Sequence, residues 1–555
     1  MVGRWMGGVA ASVMLAVVAG ACAPTSGVSA DVQSPQPTAL FSAERLSESI
    51  RAISTDEFQG RYPGTEGERK TLAWLQAQYE QMGLQPGGPN GQWLQRVELK
   101  RYTPTEGAQS ASWKGPDGQT RALTPWQDIS LRAVTNDGRA EVRDAALVFA
   151  GYGISAPERS WDDYGSVDVR GKVVVVFAGE PDGDRFNGPY QTNYASGQYK
   201  ADEAFRRGAV GIVTVNAVNA DAPQWRSALR GGQARRTMTP GAADLEFSVG
   251  VPHDVAQAWA QAAGVDVRRI ADLGGGSFKA FPLTGVTLSV KTEERVETLV
   301  THNLLARIPG AKRPDETVVY SAHWDHVGVD AEHAVNGDSI FNGAWDNASG
   351  TVAVVEMARA FSRTPRPDRS IVFAHMAAEE MGLLGAYAYA ADPVYPLATT
   401  VADINIDMIP LSGPTRDIPI FGVGQNDLED RLGALAAREG RYVTDDGQPE
   451  QNFYYRSDHF PFARMGVPAI MPWHGRDLVE GGKEEGWRQW RAKFAADYHK
   501  PSDEWSADWD LRGAMQNLPL LYELGLNLAN STDWPGWKPT SEFGQVRARS
   551  DSARR

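Results

Sequence analysis

The chain has 555 residues, 42% of them apolar and 22% charged, an ordinary globular composition that excludes a disordered or fibrous protein and leaves room for about three domains. Against 55 Lys and Arg stand 69 Asp and Glu, and the net charge of −14 argues against nucleic acid as a partner. The single cysteine, Cys22, allows neither an intrachain disulfide nor a thiolate metal cage, so any metal site must be built from His and carboxylates.

At the N-terminus Arg4, an apolar run over 9–18 and the small residues Ala19, Gly20 and Ala21 read as a secretion signal over 1–21. The run falls short of the about 20 apolar residues that a bilayer span requires. Because Cys22 follows directly, the segment resembles a bacterial lipoprotein signal, departing from it at Ala19, where such signals more often carry Leu. That resemblance implies a lipid anchor at Cys22 and a periplasmic or outer-membrane lipoprotein; an ordinary cleaved signal, giving an extracellular protein, is the competing reading. Residues 22–41, rich in Ser, Pro, Thr and Ala, suit a flexible tether.

The first folded signal is Thr65 followed by Glu68, a capping box, and then Leu72, Leu75, Tyr79 and Met82 before Gly83, which predicts an amphipathic helix marked at both ends. The apolar runs 146–150, 172–178 and 209–215 predict buried strands, with a helix over 199–207. We read 140–283 as an inserted β-rich domain without a convincing His and carboxylate cluster. From 300 onward short buried strands alternate with helices: strand 317–322, helix 351–363, strand 370–374, helix 382–391, strand 401–406, strand 468–471 and helix 512–530. This alternation predicts an α/β fold with a mainly parallel, mixed sheet flanked by helices. The polar tail 534–555 is expected to be disordered.

Clusters of metal-binding type sit where these strands end, and in open parallel sheets ligands bind in the crevice outside the carboxyl ends of the strands. SAHWDHVG, AAEEMG and NIDMIP supply His323, Glu379 with Glu380, and Asp407; GAWDNASG leads into a helix with Asp346, and DYHKPSDEW adds His499. His with Asp or Glu suits Zn²⁺, with Mn²⁺ or Co²⁺ as alternatives. His323 and Asp325, two apart on an extended segment, project to one side, so the Asp325 carboxylate is expected to take a bond from the ring nitrogen of His323 that faces away from metal. Glu379 and Glu380 leave the chain in opposite directions, and of two such buried acids one is expected to bind metal and the other to face water. Taken singly, each of these Asp or His residues is more often a capping or hydrogen-bonding group than a ligand. His474, after another strand, competes with His499; His326 reads either as lining the pocket or, preferred, as solvating the loop; His459 and Asp458 read as loop-fixing groups. The sequence lacks G-x-S-x-G, H-E-x-x-H and G-x-x-x-x-G-K-[ST], which disfavours a serine hydrolase elbow, a one-zinc helix protease and a P-loop.

In this order H-x-D, D-N-x-S-G, E-E-x-G, N-x-D-M and H-x-P-x-D resemble the two-zinc aminopeptidases, the group that includes glutamate carboxypeptidases, glutaminyl cyclases and the transferrin receptor ectodomain. The insert is similar to their protease-associated domain. The resemblance implies a zinc exopeptidase-like catalytic domain over 42–105 and 290–530, split by the insert over 140–283. It implies two Zn²⁺ per chain, one held by His323, Asp346 and Asp407 and the other by Asp346, Glu380 and His499, with Asp346 as the bridge. Glu379 would be the general base, supported by Asp325, and the peptide bond after Asp346 would be cis. Tyr455 or Tyr454 would stabilise the oxyanion or face substrate. The implied activity is release of N-terminal residues from peptides. A carboxypeptidase or glutaminyl cyclase stays open, with Arg456 as the cation a carboxypeptidase would need, and so does a non-catalytic binding ectodomain. The stretch 476–498, with Trp487, Trp490 and Phe494, reads as a lid or pocket wall.

Overall fold

The computed structural model describes residues 36–233, 236–238, 245–265 and 279–554. The leader and Cys22 lie outside the described residues. Two layers of helix enclose a mixed sheet whose strand order is Ala469–Ile470, Thr400–Asn405, Arg313–His323, Arg369–Met376, Phe281–Ile308 and Leu94–Pro104. The first four strands are mutually parallel and the last two run antiparallel to their neighbours. Every residue of Arg369–Met376 and Thr400–Asn405 is buried, as expected of parallel strands covered on both faces, and the polar ones such as Asp403 and Asn405 are bonded to side chains of neighbouring elements.

Gly350–Ser362 and Arg512–Asn530 cover this sheet and share its main core with Ala43–Ile53 and Glu66–Gln81. In the last of these helices Leu72, Leu75 and Tyr79 are buried as the spacing predicts, and Met82 is half-buried. The expected capping box forms differently. Thr65 Oγ donates to the Tyr62 carbonyl, while Glu68 is drawn under the sheet to accept from Thr301 Oγ1 at 2.9 Å and meet His302 Nδ1 at 3.0 Å. Glu68 still reaches back to the helix start, where it accepts the Gly64 backbone N–H and not that of Thr65.

A second mixed sheet contains the three predicted strands, observed as Arg139–Phe149, Val173–Phe177 and Gly211–Val215, and it also takes in Phe247–Val251, Ser110–Lys114, Thr120–Leu123 and Ser130–Ala133. It therefore begins ahead of residue 140, because these short polar-edged strands pair with the core strands and lack a strong apolar run of their own. Phe281–Ile308 belongs to both sheets: Glu293 pairs with Arg139 of the second and Glu294 with Pro104 of the first, with no break in register between them.

The tail is ordered through residue 554, contrary to the sequence expectation. Trp534 lies under the Arg369 guanidinium at 4.8 Å, Trp537 Nε1 donates to the Gly466 carbonyl, Phe543 is buried, and the helix Gly544–Ala548 sends Arg547 to the carbonyls of Leu397 and Thr400. Three aromatics and a carbonyl-seeking guanidinium outweigh the polar average of the segment.

One close approach gives a test of the packing. Gly525 lies inside Arg512–Asn530, where alanine would ordinarily gain about 1 kcal/mol of helix propensity. A Cβ there would stand 2.0 Å from Tyr320 Oη, which donates to the Leu521 carbonyl at 2.7 Å. Gly525→Ala is therefore expected to destabilise by about 1–3 kcal/mol through overpacking. Urea unfolding checks this, and a stabilised variant would contradict it.

Candidate metal centre

Because the parallel strands run in register, their carboxyl ends deliver side chains to one crevice. His323 ends its strand, paired with Met376 three residues before Glu379, while Ser321 pairs with Asn405 two residues before Asp407. Asp346 enters from the loop ahead of Gly350–Ser362, and the peptide bond between Asp346 and Asn347 is cis. His499 arrives from the far side, just beyond the helix Gly482–Asp497.

The five expected ligands meet. His323 Nε2 stands 3.4 Å from Asp346 Oδ1 and 3.3 Å from Asp407 Oδ1; His499 Nε2 stands 3.2 Å from Asp346 Oδ2 and 3.0 Å from Glu380 Oε2. The two oxygens of Asp346 thus face different histidines. Glu379 Oε2 is 3.9 Å from His323 Nε2, on the same crevice. Asp407 Oδ2 accepts from Ser457 Oγ at 2.9 Å, yet its buried Oδ1 has no hydrogen-bond partner. A buried carboxylate oxygen left bare among donors of this kind is what a cation would satisfy. His323, Asp346 and Asp407 offer ligand atoms within 4.8 Å of one another, as do His326, Asp346 and Glu380. Each donor set fits a divalent cation, and Asp346 belongs to both.

The electrostatics follow from crowding. Burial opposes charge on His323, but Glu379 and Asp407 beside it hold its pKa well above the ordinary value. His499 behaves alike: against burial, bonds to Asp346 and Glu380 push it up to about 10. Burial, with Glu380 and Asp407 as like charges, pushes the Glu379 acid well up. Glu380 goes the other way, down to about 2, because His326 and His499 outweigh burial and Asp346. The adjacent glutamates are therefore pushed apart, one toward holding a proton and the other toward staying an anion.

Three positions differ from expectation. The Asp325 carboxylate does not take the ring N–H of His323, whose Nδ1 meets the Asp325 carbonyl at 3.1 Å. It accepts instead from the backbone N–H of Glu379 at 3.0 Å and of Glu380 at 3.4 Å, fixing the turn that carries both glutamates. His326 is fully buried in the site, its Nδ1 2.6 Å from Glu380 Oε1, and is not a solvated loop residue. Neither Tyr454 nor Tyr455 lines the crevice. The turn Phe453–Tyr455 packs Tyr454 against Gly422 and His459 and sends the Tyr455 hydroxyl to the Gln191 carbonyl at 2.8 Å.

The tyrosine that does line the crevice is Tyr498, which sequence reasoning passed over, together with Arg456 and an apolar wall of Phe421, Phe453, Met471 and Trp473. Tyr498 stacks on His499 at 3.9 Å and on Phe494 at 4.3 Å, and Phe494 on Trp490 at 5.0 Å, so the expected pocket wall is a column of rings ending at His499. Arg456 Nη2 lies 3.5 Å from the Tyr498 hydroxyl. Asp503, from the same motif as His499, accepts the backbone N–H groups of Trp345 and Asp346 at 2.9 Å each and thereby aims the shared carboxylate. His474 is buried against Trp345 and Trp473 on the other side of the helix and meets none of the ligands. His459 and Asp458 are buried without hydrogen-bond partners.

Residues 303–522 match the sequence model of Peptidase family M28. Aminopeptidase NAALADL1 of Mus musculus is 35% identical over 146 residues, which are 25% of this chain and 17% of that protein. Leupeptin-inactivating enzyme 1 of Streptomyces exfoliatus is 29% identical over 185 residues, 32% of this chain and 37% of its own length. The chain thus spans well under half of either relative. Among solved structures, an aminopeptidase from Aneurinibacillus sp. strain AM-1 is similar with a TM-score of 0.46 at 20% identity, covering 89% of this chain and 95% of that one.

Proposed function

We propose that this chain, whose residues 303–522 match Peptidase family M28, is a zinc-dependent aminopeptidase that releases N-terminal residues from peptides. The observation that carries the reading is Asp346 presenting one oxygen to the His323 and Asp407 group and the other to the Glu380 and His499 group, with Glu379 free of both. When bound there, two zinc ions would supply Lewis acidity and lower the pKa of water toward about 7. Glu379, raised by its surroundings, takes the proton of the attacking water and returns it to the leaving amine. Asp325 holds the backbone of Glu379, and so its carboxylate, in place. Ser457 and Asp503 orient Asp407 and Asp346.

Tyr498 takes the part expected of Tyr455. Its hydroxyl opens into the crevice beside Arg456, where it donates to the substrate carbonyl oxygen as negative charge develops. Tyr498→Phe is expected to lower kcat by about 10²–10³ with metal retained; unchanged kcat would remove it from the reaction. Phe421, Met471 and Trp473 suit an apolar first side chain.

The experiment is hydrolysis of aminoacyl nitroanilides, each with a free and a blocked α-amine, by protein treated with chelator and then resupplied with zinc. Cleavage of free amines alone, abolished by chelation and restored by zinc, is the expected result. Arg456 is the specific observation behind a carboxypeptidase, and cleavage of amine-blocked peptides with free carboxylates would favour that reading instead.

A further inference from the structure

Next to the metal crevice, across the ring of Phe453 that lines both, lies a cavity of about 120 Å³. Its walls come from the two halves of the molecule. Tyr190 and Gln191 belong to the loop leading out of the second sheet; Asp445, Asp446 and Tyr454 belong to the catalytic side. The halves are tied together at its rim, where Asn452 Nδ2 donates to Gln191 Oε1 at 2.9 Å and the Tyr455 hydroxyl to the Gln191 carbonyl.

The chemistry of the cavity is one-sided. Asp446 is 4% exposed, and its carboxylate accepts the Gln448 N–H at 2.7 Å. Asp445 is exposed and accepts from the Gly447 N–H at 2.9 Å. Neither carboxylate forms an ion pair among the described residues. Arg476 is the nearby cation: it stacks over Trp487 at 4.1 Å, bonds Gln448 Oε1 at 3.5 Å, and its charge is shared among Asp417, Asp446 and Asp445 without an ion pair to either of the last two. Burial pushes the Asp446 acid above the ordinary carboxylate range, with Arg476 pulling the other way. The Tyr190 phenol is pushed up to about 12 by burial and by the same two aspartates. The side chains of Phe453, Tyr454 and Tyr455 line the cavity on the catalytic side. Two carboxylates without an ion pair and an aromatic floor form a receptor for an alkyl chain ending in a cation.

We propose that this cavity is a substrate subsite that takes a lysine or arginine side chain downstream of the scissile bond, read by Asp445 and Asp446. The proposal rests on the exopeptidase reading above. The first side chain of the substrate has its own apolar wall within the crevice, and the rest of the peptide leaves past Phe453 and Arg456 toward the cavity.

The test compares kcat/KM for Leu-Gly-Lys, Leu-Gly-Ala and Leu-Gly-Glu, and for Leu-Lys-Gly, Leu-Ala-Gly and Leu-Glu-Gly, with leucine nitroanilide as reference. Wild-type protein is expected to favour lysine over glutamate by about tenfold at one of the two positions, mainly through KM, the worth of one charged hydrogen bond. In the Asp445→Asn, Asp446→Asn double variant that ratio should fall to near one. Asp445→Asn alone, at an exposed position, should reduce it and guards against a misfolded double variant. Equal rates across each series, or a lysine preference that persists undiminished in the double variant, would overturn the proposal. Failure to cleave leucine nitroanilide at all would strike the exopeptidase reading itself, and the subsite with it.

Discussion

Replacing Asp346 with alanine is expected to empty both metal positions together and to lower activity by at least about a thousandfold, since Lewis-acid stabilisation is worth several kcal/mol. Asp346 turns one oxygen to His323, in the group with Asp407, and the other to His499, in the group with Glu380, at 3.4 Å and 3.2 Å. Without it each position keeps only one carboxylate, Asp407 on one side and Glu380 on the other. The contrast is His323→Ala, which removes a ligand from one group and leaves Asp346, Glu380 and His499 in contact, so one metal should remain. Metal content per chain, measured after dialysis, separates the two variants. Retention of both metals by Asp346→Ala would refute the shared position.

Glu379→Gln is expected to keep both metals and lose turnover, with kcat falling by about 10²–10⁴ and KM little changed. The amide has the size of the acid and keeps the backbone bond to Asp325, but it cannot carry the proton. Burial, Glu380 and Asp407 make this carboxyl the readiest proton acceptor of the adjacent pair. Normal turnover in the variant would eliminate Glu379 as the base. Reduced metal content would instead place Glu379 among the ligands and exchange its role with Glu380.

The metal centre was legible in the chain because its parts are short and local. A strand ending in His323, a pair of glutamates after another and an aspartate after a third can be read from spacing, and the parallel sheet brings them to one edge. What was not legible depended on side-chain direction at loops. Tyr454 and Tyr455 stand just before Arg456 and Ser457, which do reach the crevice, yet a single tight turn rotates both rings away. Tyr498 gave no signal because its role comes from stacking on His499 and Phe494. His326 follows the H-x-D pattern by one residue and looked like loop; burial against Glu380 could not be seen from its neighbours. The tail was misjudged because its average polarity hid three anchoring aromatics, Trp534, Trp537 and Phe543.

The long strand Phe281–Ile308 acts as a splint. At about 3.3 Å per residue, its 28 residues reach across both sheets, and Leu94–Pro104 is laced to it for eleven consecutive pairs. Domains joined by loops can swing apart; domains that share a continuous, paired strand can only bend together. The mouth formed where the two halves meet is thus a fixed aperture.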